Sequence, residues 1–121
     1  MSRDWLLFLD DMIEAAEKIE RYVSKRTYDA FITDEVIFDA VLMNLLVIGE
    51  ATKKLPDDAL VAMPEVDWSG AAGLRDIIAH HYFGIDQRLI WDIVCNYVPP
   101  LLESARGLQG RLEPKSSDPG E

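Results

Sequence analysis

Positive charge is scarce in this chain: 12 lysines and arginines stand against 22 aspartates and glutamates, a formal net charge of −10. That balance excludes a broad phosphate-binding footprint, because displaced counterions supply most of the affinity of such surfaces. Any RNA contact is therefore expected to be local, built around Arg75, Arg88 and Arg3, or assisted by oligomerisation. DNA is not expected, and a basic protein partner suits the acidity better. The single cysteine, Cys95, lies in an apolar helical pattern and excludes an intrachain disulfide. With no basic-then-apolar leader after Met1, this points to the cytoplasm. Apolar runs are short. The longest, residues 40–49, is interrupted by Asn44 and runs into Glu50, Lys53 and Lys54, whereas a membrane span needs about 18 apolar residues. Strand-period alternation, internal repeats, cofactor motifs and metal-ligand clusters are all missing from the pattern.

What is present is helical periodicity. Trp5, Phe8 or Leu9, Met12, Ala16, Ile19 and Val23 recur at three- and four-residue steps, which predicts an amphipathic helix from about residue 3 to 24. Its acidic residues form a solvated face. Thr27 or Asp29 caps a short turn leading to Phe31, and Thr33 or Asp34 caps a long helix that Pro56 stops. From Ala40 to Gly49 that second helix is apolar nearly all round, so it is expected to be the most buried element. Gly49 inside it implies close approach of a neighbouring helix. Asn44 and Glu50 are its polar exceptions and need partners if buried. Residues 56–68 read as a connector with one turn of helix. Asp67 or Ser69 caps a third helix from about Gly70 to Phe83, with Gly84 suited to a left-handed C-terminal position. Asp86 caps a fourth, Pro99-Pro100 interrupts it, and Leu101-Leu102 add a last turn. Residues 1–106 thus form one all-α bundle of four to five helices, and 107–121, rich in Gly, Pro, Ser and charge, form a disordered tail.

The chemistry concentrates in Arg75-Asp76-Ile77-Ile78-Ala79-His80-His81-Tyr82, which holds both histidines of the chain. A guanidinium grips a phosphate bidentately and an imidazole moves protons near neutral pH. Asp76 lies one turn below His80 and could orient it. Arg75 and Tyr82 share a face, but Arg75 and His80 are roughly 140° apart on a regular helix. Either the helix distorts near His80, or a twofold dimer assembles the site from two chains. The nucleophile such a kit recruits most easily is the ribose 2′-hydroxyl of RNA, with no metal or other cofactor. The plain readings are that His81 is a packing or solvent residue, Asp76 pairs with a nearby base, and Tyr82 and Phe83 are core aromatics. Trp68 and Trp91 read as core anchors rather than base-stacking platforms.

The block from Gly73 to Asp86 resembles the signature of the HEPN superfamily, and of its HepT-like toxins in particular. Arg3-Asp4, Phe31, residues 39–44, Ile48-Gly49-Glu50-Ala51, Trp68, Trp91-Asp92-Ile93-Val94 and Pro100-Leu101-Leu102 extend the resemblance over residues 3–102. It implies a HEPN bundle, usually dimeric, with Arg75 and His80 as the ribonuclease pair, and with Asp76 where many relatives carry asparagine. It also implies the toxin half of a type VII toxin–antitoxin module. A minimal nucleotidyltransferase partner would neutralise the toxin by transferring AMP to Tyr82. The competing expectation is a non-catalytic helical subunit that regulates a nucleotidyltransferase.

Overall fold

The computed structural model describes residues 4–112, without the side chain of His81. Seven helices follow in order: α1 (Trp5–Val23), α2 (Tyr28–Thr33), α3 (Glu35–Lys54), α4 (Asp57–Val61), α5 (Trp68–His81), α6 (Gln87–Asn96) and α7 (Val98–Leu112). A 3-10 turn, Tyr82–Gly84, closes α5, and there is no strand among the described residues. The chain is an all-α bundle of five longer helices with α2 and α4 as short connectors.

Helix starts are set by side-chain caps that satisfy otherwise orphaned amides. Thr27 Oγ1 accepts from Ala30 N (3.1 Å), Asp34 Oδ1 from Ile37 N (3.1 Å) and Asp67 Oδ1 from Gly70 N (3.2 Å). Asp86 Oδ1 accepts from both Arg88 N and Leu89 N. The ambiguous caps thus resolve to Thr27, Asp34 and Asp67, and α5 begins at Trp68 rather than Gly70. The Ser69 hydroxyl, with the Gly70 amide, holds the Asp67 carboxyl below the usual carboxylate range.

α3 is the spine, packed against α1 on one side and α5 on the other. Leu9, Met12, Ala16 and Ile19 of α1 meet Val41, Leu45 and Ile48 of α3 in a core from which water is excluded. Each large side chain buried there contributes about 1.5–3 kcal/mol. α3 is not buried all round, however: Val36 and Met43 are exposed. Phe31 of α2 is fully buried and stands 5.3 Å from Phe38 and 5.1 Å from Trp91, ring centre to ring centre. The Trp68 indole donates to Met63 O (3.1 Å). Both tryptophans are therefore core anchors.

Three expectations need correction. Gly84 is not left-handed: among the described residues no glycine has positive φ, and Lys25, after α1, takes that conformation (φ 62°). Tightening into the 3-10 turn ends α5 without it. α7 runs through Gly107 and Gly110 to Leu112, beyond the expected tail start; residues 113–121 lie outside the described part. Pro99 and Pro100 open this helix, since first-turn amides have no intrahelical acceptor to lose. Leu101, Leu102, Ala105 and Leu108 are buried where α7 lies on α1, which outweighs the composition. Cys95, read within an apolar helical pattern, is exposed.

At Gly49 the expectation holds. A Cβ there would sit 3.1 Å from Arg75 N and 3.3 Å from Ala71 O, both backbone atoms of α5. Backbone cannot swing aside as a side chain can. Gly49→Val is therefore expected to destabilise the bundle by about 1–3 kcal/mol, read as a lower denaturant midpoint with an unchanged slope.

Candidate functional site

α5 and the turn that follows it carry the motif, and their position is set by the close seam with α3. At Gly49 the two backbones approach so closely that the next residue, Glu50, reaches Arg75. Glu50 Oε2 pairs with Arg75 Nε and is itself shielded from water. A second carboxylate, Asp76 Oδ1, lies 3.5 Å from Arg75 Nη1. The Arg75 side chain is nonetheless 45% exposed, so the guanidinium is held at the surface between two acids.

His80 is exposed, and no described group pairs with it. Asp76 therefore does not orient it, contrary to the spacing argument: the permanently charged guanidinium beside Asp76 is the stronger competitor for a carboxylate. α5 is an unbroken α-helix through both Arg75 and His80, tightening only at Tyr82. Distortion before His80 is thus not what the chain uses, and the roughly 140° between the two residues stands within one protomer. His81 ends the helix, and its side chain is among the undescribed parts.

Tyr82 and Phe83 are not core aromatics. Tyr82 is 47% exposed and Phe83 99%. Tyr82 lines a cleft with Phe38 and Asp39 of α3, so both Tyr82 and Arg75 lie toward α3, at opposite ends of the seam. Of the other cations expected near RNA, the Arg88 guanidinium stacks 3.8 Å from the Tyr28 ring centre, and Arg3 lies outside the described residues. Among the described residues no group of three or more His, Cys, Asp or Glu is placed to hold a metal ion, and no helix is long and apolar enough to cross a membrane.

In the sequence Glu50 stands out only as a polar exception and as part of the family-like block Ile48-Gly49-Glu50-Ala51, with no role attached. Its signal was its position directly after a glycine that permits helix contact. A double-mutant cycle over Glu50→Gln and Arg75→Ala should give a coupling of about 0.5–1 kcal/mol, near the top of the range for exposed pairs because one oxygen is shielded. Additive effects in chemical denaturation would remove the pair's structural role.

The HepT-like family, described as Ribonuclease HepT-like, matches residues 12–107. "Putative RNase MJ0127" of Methanocaldococcus jannaschii is 45% identical over 97 residues, 80% of each chain. "Putative RNase MJ1380" of the same organism is 38% identical over 99 residues, 82% of this chain and 91% of that one. "Probable ribonuclease HepT" of Thermococcus cleftensis is 37% identical over 101 residues, covering 84% of this chain and 92% of its own. No solved structure matches. With its motif on an exposed helix end and this likeness over most of its length, the chain belongs to the HepT-like family of the HEPN superfamily.

Proposed function

We propose that this chain is a metal-independent endoribonuclease, and the toxin of a type VII toxin–antitoxin module, with Arg75 and His80 as its catalytic residues. The observation that carries the reading is the exposure of Arg75, His80 and Tyr82 along one helix end, inside the family match over residues 12–107. A single protomer divides the pair by roughly 140°. A twofold dimer, which supplies two of each residue, unites them in a shared cleft. The exposed Val36 and Met43 on α3 offer apolar surface for a second copy to cover.

The chemistry then balances. His80 takes the proton of a ribose 2′-hydroxyl, whose oxygen bonds to the adjacent phosphorus. The bond from phosphorus to the 5′-oxygen breaks, and His80 of the partner subunit, protonated, gives its proton to that oxygen. Arg75 holds the non-bridging oxygens as negative charge builds on them. One product ends in a 2′,3′-cyclic phosphate and the other in a 5′-hydroxyl. Asp76 beside Arg75 and His81 beside His80 are supporting groups. In the free chain Arg75 is occupied by Glu50 and Asp76. An exposed pair of this kind is worth only about 0.2–1 kcal/mol, which a bidentate, charge-assisted phosphate contact can displace.

Control falls to Tyr82. Tyr82 is 47% exposed; its phenolic oxygen attacks the α-phosphorus of ATP in the site of a minimal nucleotidyltransferase antitoxin, its proton and pyrophosphate leave, and AMP stays on that oxygen. The added charge and bulk on the helix face that also carries Arg75 repel RNA. The second reading, a non-catalytic subunit that regulates a nucleotidyltransferase, is favoured by the net charge of −10.

Expression of the chain alone should arrest growth and leave RNA ends bearing cyclic phosphate. Arg75→Ala and His80→Ala should each cut the cleavage rate by about 100- to 1,000-fold and release growth. Variants as toxic as the parent would reject the nuclease assignment. Co-expression with a minimal nucleotidyltransferase should add the mass of one adenylate at Tyr82, and none in Tyr82→Phe; an adenylated Tyr82→Phe chain would move the acceptor elsewhere.

A further inference from the structure

Phe83 has no role in the protomer's packing. Its ring is 99% exposed, although burying a phenylalanine contributes about 1.5–3 kcal/mol. It stands edge-on to Tyr82, with ring centres 5.3 Å apart at 80°. Both line a cleft of about 330 Å³ together with Phe38, Asp39, Ile85 and Gln87. Phe38 is a fixed wall, since its ring packs on the buried Phe31. Asp39 and Gln87 are exposed polar groups at the same cleft.

Aromatic faces with in-plane hydrogen-bonding groups beside them are the lining that unstacked nucleobases take in single-stranded RNA recognition. The volume lies at the small end of ligand pockets, which run from about 300 to 1,000 Å³. A carboxylate only accepts hydrogen bonds; an exocyclic amine offers it two donor hydrogens where uracil offers only its ring N3–H, so Asp39 favours adenine, cytosine and guanine over uracil. Tyr82 is seven residues from Arg75, about 10 Å of helical rise, so the base held flanks the cut instead of belonging to the nucleotide under attack. Building on the ribonuclease reading, we propose that the cleft between Phe38, Asp39, Tyr82 and Phe83 is a nucleobase subsite that selects amino-bearing bases next to the scissile phosphate.

The test measures calorimetric binding of oligoadenylate, oligocytidylate and oligouridylate octamers to the full chain, with His80→Ala present throughout to prevent cleavage. Adenylate and cytidylate should bind about tenfold more tightly than uridylate. Asp39→Asn should abolish that preference, because an amide both donates and accepts. Phe83→Ala should weaken all three by about 5- to 100-fold. Equal binding of the three octamers, or a preference that survives Asp39→Asn, overturns the subsite. So does a Phe83→Ala chain that binds RNA unchanged but turns from dimer to monomer, which would assign the ring to a second copy. Cleavage assays with the His80 chain separate the two readings. Cutting that depends on Arg75 and His80 but shows no Asp39-dependent base preference sinks the subsite alone. An Asp39-dependent binding preference without cutting keeps the subsite and sinks the nuclease.

Discussion

The backbone approach of α3 and α5 at Gly49 is the constraint on which the rest of this architecture turns. With only a hydrogen where a side chain would be, Gly49 lets Arg75 N and Ala71 O come within about 3 Å of its missing Cβ. The contact fixes the register of the two helices. That register places Glu50 against the Arg75 guanidinium at one end of the seam and Phe38 and Asp39 beside Tyr82 at the other. A one-residue slip along either helix would turn the neighbouring side chains by about 100° and undo both meetings. The ion pair contributes little to stability by itself. It matters because it holds a long, flexible cation in a defined place.

The acidity of the chain acquires a local meaning from this arrangement. Arg75 stands between two carboxylates, and Arg88 lies over an aromatic ring. Neither contributes to a continuous basic surface. A protein organised in this way attracts a polyanion weakly at long range and must hold it by directed contacts at short range. In the proposed subsite the rings beside the motif would supply contacts of that kind, since stacking is indifferent to net charge. Family likeness and local geometry therefore converge on a small, specific contact surface.

Much of the bundle was legible beforehand because its helices are amphipathic and its caps are chemically distinct. Leu9, Met12, Ala16 and Ile19 repeat at helical spacing, and all four are buried. Thr27, Asp34, Asp67 and Asp86 were each among the expected caps. α7 was misread because Gly107 and Gly110 look like linker residues, while the burial of Leu101, Leu102, Ala105 and Leu108 on α1 that overrides them is a long-range event. Phe83 was misread in the opposite sense. An aromatic before a glycine resembles a core residue at a helix end, and only the neighbouring elements decide whether anything covers it.

The amino-acid sequence alone determined the all-α class, the main helices and the residue types of the motif, because periodicity, capping and side-chain chemistry are local properties of the chain. It also carried the family, since spaced residues over most of the length agree with it. Tertiary structure decided which groups meet: Arg75 with Glu50 instead of His80 with Asp76, and Tyr82 with Phe38 and Asp39. Those pairings depend on how closely two helices approach and in what register. That is a property of packing between segments far apart in the chain, which no local pattern encodes.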